Sequence, residues 1–248
     1  MIIYLSIGST PSVEFMNSVE PCRNWNCLTS FQYKDCLKGR TPGDFKNFMA
    51  DSGAFTAMNA GKQIDQKYID AYIKWINDFD IKNFIEMDLD EIIGFPETIK
   101  IRKYIEQKTG KKPIPCWHFE RGEQGWIDMC KQYDYVSISL SRATSTSKWL
   151  MSYKFEPLKW FMKIARQNNA KVHALGCNDL QLLKKYHFYS ADSSVHSGGQ
   201  RFGNILSFKD GKLTNINRQG KKKVNRQKVN ENNMKVMIEV MKYAEEKL

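Results

Sequence analysis

The sequence predicts an α/β protein that folds as a (β/α)₈ barrel. Apolar, strand-like segments alternate with amphipathic, helix-like segments along its 248 residues, and repeated β-then-α units form a parallel sheet with helices outside it. The number of predicted strands is near eight, and a barrel of this type typically needs about 250 residues. No G-x-G-x-x-G motif follows the first strand, which disfavours an open dinucleotide-binding sheet. We therefore expect residues 1–248 to form a single, minimal barrel domain.

The predicted strands are short segments of mainly apolar residues. In chain order they span residues 2–7, 47–50, 83–89, 113–119, 135–140, 170–175 and 188–191. Apolar residues at helical spacing predict helices between the later strands, over residues 65–80, 96–108, 124–132, 149–166 and 180–186. Pro96 suits the first turn of its helix, and Gly110 suits the end of the same helix. No helix or strand is predicted for the polar, cysteine-containing stretch between the first two predicted strands.

The last part of the chain predicts a hairpin and a helix. Residues 205–216 are typical of two strands that turn at Asp210 and Gly211. A basic stretch, 221–228, precedes a helix of about residues 231–247, for which Asn230 is the expected N-cap. We therefore expect a basic C-terminal segment at about 205–248, attached to the barrel.

The charge balance predicts a polyanionic partner. The formal net charge is +11, and an excess of this size favours nucleic acid; a generally basic surface is the alternative explanation. No apolar run approaches the ~20 residues of a membrane span. Residues 1–7 are too short for a signal sequence. We expect a protein that is cytoplasmic and has no membrane partner.

The six cysteines do not predict a metal site. No C-x-x-C pair occurs, and in an intracellular chain the thiols are expected to stay reduced. Cys22, Cys27 and Cys36 lie close in sequence, but no obvious fourth ligand is near them. No metal and no cofactor are therefore expected.

Residues at the carboxyl ends of the strands are the candidates for chemistry, because active sites of (β/α) barrels lie there. The strand-end residues are Asp51, Asp88, Asp90, Glu91, His118, Glu120, Gly176 and Asp192, with His173 inside a strand. Clustered carboxylates repel one another, so such a cluster suggests a function. For Asp51 and Asp192 we favour function, and for Asp88 and Glu91 helix capping or solvation.

The histidines give a weaker signal. His118 and His173 have two interpretations, as satisfied core side chains or as direct participants. His196 follows Asp192 by four residues, in a loop near the expected site.

Several motifs resemble those of the tRNA-guanine transglycosylases. In order they are D-S-G-A-F at 51–55, L-D-E at 89–91, H-A-L-G at 173–176, N-D-L-Q-L-L at 178–183, S-A-D-S at 190–193 and R-F-G at 201–203. The resemblance covers roughly residues 48–205. It implies that Asp192 is the nucleophile on the sugar, that Asp51 is the general acid/base, that Asp90 reads the guanine edge and that Gly176 leaves room for the base.

The first motif also implies that Ser52, Gly53 and Phe55 line the base pocket, and we add His118 and His196 as candidate base-binding residues. The resemblance is better for the motifs that carry the reaction than for the part of the chain that would contact the nucleic acid. The C-x-C-x-x-C…H zinc site of the tRNA enzymes is missing, and residues 135–145 replace their G-G-L-A-V-G-E stretch. A shortened, zinc-free chain resembles the DNA-guanine transglycosylases of phage and bacterial DNA modification.

That resemblance implies DNA rather than tRNA as substrate. The incoming base is then free 7-cyano-7-deazaguanine or another 7-deazaguanine, in the cytoplasm of a bacterial or phage-infected cell, and a partner protein or a homodimer is possible. Basic residues are expected to hold the nucleic-acid backbone; the candidates are Arg201, Lys209, Lys221, Lys222, Lys223, Arg226 and Lys228.

Four alternatives stay open. The first is a tRNA-guanine transglycosylase. The second is a metal-dependent barrel hydrolase whose ligands come from Asp51, Asp88, Asp90, His118, His173 and Asp192. The third is a nucleic-acid-binding barrel without catalysis, and the fourth is a glycosidase that releases guanine to water. No H-x-H or H-E-x-x-H motif supports the metal hydrolase.

Overall fold

The structure is a computed structural model. It describes residues 1–8, 17–18, 20–59, 61, 63–141, 144–197, 204–216 and 225–248, and of residues 55, 59, 91, 226 and 227 it describes the backbone only.

Eight parallel strands form the barrel. They are β1 (Ile2–Ile7), β2 (Asn26–Ser30), β3 (Asn47–Asp51), β4 (Asn83–Phe84), β5 (Cys116–Trp117), β6 (Tyr135–Ser139), β7 (Lys171–Leu175) and β8 (Ser190–Ser193). Their order in the sheet is β4-β3-β2-β1-β8-β7-β6-β5. A parallel bridge between Ile85 and Ile114 joins the two ends of this order, with Ile114 N donating to Phe84 O at 2.7 Å. The predicted (β/α)₈ architecture is confirmed.

Helices connect the strands on the outside of the barrel. They are α1 (Ala54–Asn59), α2 (Gln66–Asp78), α3 (Asp90–Ile93), α4 (Phe95–Thr109), α5 (Gly122–Gln132), α6 (Ser145–Ser152), α7 (Leu158–Gln167), α8 (Leu180–Tyr186) and α9 (Arg226–Lys247). Local signals set several of their ends. Asp65 caps α2 by accepting from Tyr68 N, and Asp179 caps α8 by accepting from Leu182 N. Gly110 ends α4 in the left-handed conformation, as its position predicts.

Strand β2 was not predicted. It lies in the stretch that received no element, and all five of its residues are buried. Asn26, Thr29 and Ser30 are among them, so the strand has no apolar run that would reveal it. It pairs with β1 on one side and β3 on the other, which satisfies its backbone hydrogen-bonding groups.

Four other elements differ from the prediction. The strands expected at 83–89 and 113–119 shorten to two residues each, and Pro113 and Pro115 cannot donate backbone hydrogen bonds to a ladder. The helix expected at 149–166 is two helices, because Lys154 and Phe155 have positive φ between α6 and α7. Helix α9 begins at Arg226, and Asn225 rather than Asn230 caps it by accepting from Lys228 N.

Two groups of buried side chains hold the fold together. A small cluster of Tyr4, Leu28, Met49, Ile85 and Ile114 is separate from the large cluster that includes the residues of the outer helices. These five residues come from five neighbouring barrel strands or their ends, and their side chains pack against one another.

The predicted hairpin is present as β9 (Leu206–Lys209) and β10 (Lys212–Asn215), with its turn at Asp210 and Gly211. It is held to α9 by buried Asn233, whose Oδ1 accepts from Leu206 N at 2.8 Å. Met1 donates to Ala244 O at the other end of α9. Among the described helices, none is long and apolar enough to cross a membrane.

Candidate active site

A cavity of about 230 Å³ opens at the carboxyl ends of the barrel strands. Three carboxylates line it, from Asp51, Asp88 and Asp192, and apolar side chains that include Ile85 and Leu175 line much of the rest. Pockets for drug-sized ligands typically have volumes of about 300–1,000 Å³. The cavity therefore suits one small molecule or one nucleobase.

Asp192 lies in β8 and is largely buried in this cavity. Its Oδ2 accepts a hydrogen bond from Ser6 Oγ (2.7 Å), and its Oδ1 accepts one from Gly176 N (2.7 Å). The Nε2 atom of His173 lies 3.3 Å from the same Oδ1. Burial raises the pKa of Asp192, but the imidazole and these donors outweigh burial and bring the pKa below its ordinary value. The carboxylate is therefore ionised near neutral pH, as a nucleophile must be.

A chain of polar side chains connects Tyr135 through Ser190 and His173 to Asp192. The hydroxyl of Tyr135 lies 2.5 Å from Ser190 Oγ, and Ser190 Oγ lies 2.6 Å from His173 Nδ1. His173 is fully buried, so these contacts fix the orientation of its ring toward Asp192. The sequence pattern is compatible with His173 as a core side chain or as a site residue. In the structure its ring is buried in the core and contacts Asp192.

Asp51 is the last residue of β3 and faces the same cavity. Burial raises its pKa to about 6, the backbone N–H of Gly53 opposes this rise, and the negative charges of Asp192 and Asp88 add to it. A carboxyl group with this pKa holds and releases a proton near neutral pH, which is what general acid/base catalysis needs. The two aspartates therefore differ in protonation because their surroundings differ.

The turn after Asp51 depends on Gly53. Its φ is +69°, and a Cβ atom there would lie 2.2 Å from Ser30 Oγ, so a side chain has no room. Gly53 N donates to Asp51 Oδ1 at 3.3 Å. Ser52 lines the cavity, and its carbonyl accepts from Tyr68. The Phe55 side chain lies outside the described part of the chain.

Gly176 lies at the cavity wall. Its φ is +67°, and a Cβ atom there would approach Ser141 Cβ to 3.0 Å. The same residue supplies the N–H that holds Asp192. Gly176 thus combines room for a ligand with positioning of the carboxylate.

Asp88 and His118 form the opposite polar wall. The side chain of Asp88 is 30% exposed, and its Oδ1 lies 2.7 Å from His118 Nε2. Burial lowers the pKa of His118, but adjacent Cys116 and Asp88 outweigh burial and raise it. Asp88 was expected to cap or solvate, and the structure instead places it among the cavity carboxylates.

Asp90 is not at the cavity. Its carboxylate is buried and receives two hydrogen bonds from Arg121, at 2.5 and 2.8 Å. Arg121 also contacts Glu86 at 2.8 Å, and all three side chains are at most 5% exposed. With its oxygens engaged in this way, Asp90 is part of a buried ion-pair network. The residue of this segment that lines the cavity is Asp88, and the base-reading role that the L-D-E motif implies for Asp90 stays a prediction.

His196 is likewise not among the residues that line the cavity. It lies in a 3₁₀ turn (Val195–Ser197) beside α9 and is 2% exposed. Burial lowers its pKa to about 4, so it is neutral at physiological pH. The sequence placed it near Asp192 because only four residues separate them, but the chain turns away after β8.

A wider cleft of about 680 Å³ adjoins the cavity, and Ser141 and Gly176 line both. The hairpin forms one side of this cleft, including Gly211 and Thr214. Lys209 on the hairpin and Lys228 in the first turn of α9 are exposed. The other basic candidates, Arg201, Lys221, Lys222, Lys223 and the side chain of Arg226, lie outside the described residues.

Three site residues had little or no signal in the sequence. Ser6 lies in an apolar strand, and the sequence pattern predicts only a reduced thiol for Cys116 and no role for Arg121. The sequence feature that could have pointed to Arg121 and Cys116 is their position close to His118, near the end of a predicted strand.

Comparison of the chain with models of known protein families and with curated proteins finds no match to either. The resemblance to guanine transglycosylases therefore rests on the quoted sequence motifs alone.

Proposed function

We propose that the protein exchanges guanine in DNA for a 7-deazaguanine such as 7-cyano-7-deazaguanine. The observation that carries this proposal is the pair of cavity aspartates with opposed pKa shifts. Asp192 is held ionised by its donors, while the pKa of Asp51 is raised to about 6. Environments that separate two carboxyl groups in this way assign one as nucleophile and the other as acid/base.

The proposed chemistry proceeds in two displacements. An oxygen of Asp192 bonds to the anomeric carbon of the nucleotide, the bond from that carbon to guanine breaks, and Asp51 gives its proton to the leaving base. The incoming base then loses a proton to Asp51, its ring nitrogen bonds to the anomeric carbon, and Asp192 is released. Two inversions retain the configuration of the sugar.

Recognition of the base would use the rest of the cavity. Asp88 and His118 present polar atoms to one side of it, while Ile85 and Leu175 present apolar surface to the faces of a planar ring. A base inside a duplex must leave the stack to reach this depth. The adjoining cleft, which exposed Lys212 of the hairpin lines, suits the sugar–phosphate backbone of the strand.

The direct test uses labelled guanine and labelled 7-cyano-7-deazaguanine with guanine-containing DNA and, separately, unmodified tRNA. We expect label in DNA, loss of at least ~10³-fold in activity for Asp192→Ala and Asp51→Ala, and a protein–DNA adduct of Asp192 by mass spectrometry in the wild type. Asp128→Ala, at an exposed position on α5, is the matched control. Label in tRNA alone would move the substrate to tRNA, and no label in either nucleic acid with either base would refute base exchange.

A second candidate function is a metal-dependent hydrolase. The observation that favours it is the group formed by Asp88, Cys116 and His118, whose ligand atoms lie close together at the cavity. The two functions give different products, because a hydrolase releases a fragment to water and incorporates no labelled base. Free guanine without incorporation would identify a glycosidase instead.

A further inference from the structure

Three residues with metal-binding side chains converge beside the cavity. One ligand atom from each of Asp88, Cys116 and His118 lies within 4.8 Å of the others. Cys116 and His118 are two residues apart at the end of β5, so their side chains point to the same face. Asp88 follows β4, and the bridge between Ile85 and Ile114 brings these two strand ends together.

The state of His118 is the second observation. The residue is 3% exposed, and neither of its ring nitrogens makes a hydrogen bond of acceptable geometry among the described residues. Nε2 nevertheless lies 2.7 Å from Asp88 Oδ1. A buried polar atom without a well-formed hydrogen bond costs about 1–3 kcal/mol, so a ligand with good geometry at either ring nitrogen would stabilise the folded protein. Coordination of an ion shared with Asp88 and Cys116 supplies one.

We propose that Asp88, Cys116 and His118 bind one divalent transition-metal ion, and that this ion is Zn²⁺. Thiolate and imidazole ligands disfavour Mg²⁺ and Ca²⁺, whereas Zn²⁺ takes sulfur, nitrogen and oxygen together. Ligand distances of ~2.0–2.3 Å place the atoms of a tetrahedral site about 3.3–3.8 Å apart. The ligand atoms are at most 4.8 Å apart, and Asp88 Oδ1 and His118 Nε2 are 2.7 Å apart, so they would have to shift by up to about 1 Å to hold a Zn²⁺ ion.

The backbone at Cys116 is already held in place. Cys116 N donates to Glu86 Oε1 at 2.6 Å, and Arg121 fixes Glu86 from the other side. Such outer contacts orient metal ligands. Three protein ligands leave a fourth position for water or for an atom of the bound molecule, as in catalytic zinc sites. Asp88 and His118 line the cavity, so that position is next to the site of Asp51 and Asp192.

The test measures metal binding without any nucleic acid, so it does not depend on the proposed base exchange. The protein is stripped with chelator and titrated with Zn²⁺ and with Co²⁺, whose bond to a thiolate absorbs in the near ultraviolet. We expect one equivalent per chain and a thiolate–cobalt band. Asp88→Asn and His118→Asn should each weaken binding by more than about 10–100-fold, the range for loss of an outer-shell partner, and Cys116→Ser should also abolish the band.

Cys130→Ala is the matched control, because Cys130 is equally buried but lies in α5 and not in the group. It should keep both the stoichiometry and the cobalt band. Unfolding curves of the stripped proteins check that each variant folds. If Cys116→Ser does not fold, Asp88→Asn decides, since Asp88 is partly exposed. Absence of stoichiometric binding, or binding that the Asp88 and His118 substitutions leave unchanged, would overturn the inference.

Discussion

Replacement of Asp51 by asparagine should stabilise the protein in a pH-dependent manner. The pKa of this carboxyl group is raised from 3.8 to about 6, so the folded protein binds its proton more tightly than the unfolded chain does. Stability from the protonated form is complete below pH 3.8 and is lost as the pH rises through about 6. At about 1.4 kcal/mol per pKa unit, the ionised carboxylate costs about 3 kcal/mol at pH 7.5. The amide of the Asp51→Asn variant carries no charge and escapes this cost.

The assay is urea unfolding of wild type and Asp51→Asn at pH 4.5, 6 and 7.5, in the presence of chelator. The stability difference between variant and wild type should grow from about 1 kcal/mol at the lowest pH to about 3 kcal/mol at the highest, a change of about 2 kcal/mol. Asp128→Asn, at an exposed position of α5, should change by less than about 0.5 kcal/mol. A difference for Asp51→Asn that does not vary with pH would refute the raised pKa, and with it the acid/base assignment of Asp51.

Three further predictions concern the same site. The rate of guanine release in a single turnover should fall tenfold per pH unit above about pH 6, because release needs the protonated form of Asp51. Gly176→Ala should lower that rate about 10–100-fold, because a left-handed alanine pressed toward its neighbours displaces the N–H that holds Asp192. Asp90→Ala should lower the free energy of unfolding by about 3 kcal/mol, because it leaves Arg121 with one buried partner fewer.

Each of these has a result that would contradict it. A release rate that is flat from pH 6 to 8 would show that another group supplies the proton. Wild-type turnover in Gly176→Ala would show that the N–H contact is dispensable. If Asp90→Ala left unfolding in urea unchanged but lost base binding, Asp90 would read the guanine edge, as the motif resemblance implies.

The fold class of the molecule follows from its sequence pattern. Alternating strand and helix patterns over about 250 residues predicted the barrel, and the carboxyl-end rule pointed to Asp51, Gly176 and Asp192. These inferences succeed because hydrophobic periodicity and chain order are local properties. Two residues that each follow a strand of one barrel must meet at the same rim, whatever the details of packing.

The position of each strand-end residue relative to the cavity depends on tertiary contacts. Asp88 and Asp90 are two positions apart and look equivalent in sequence, yet one lines the cavity and the other pairs with Arg121, 31 residues away. Strand β2 is invisible to pattern because its polar residues are buried by neighbours on both sides.

The pKa difference between Asp51 and Asp192 likewise comes from contacts made across the barrel. Ser6 is 186 residues from Asp192 in the chain and 2.7 Å from it in the fold. The meeting of Cys116 and His118 with Asp88 depends on the same kind of contact, since it is the closing bridge of the barrel that aligns their strands. Local periodicity carries no information about such pairings, because burial, charge and hydrogen bonding at a site are set by residues that are far apart in sequence.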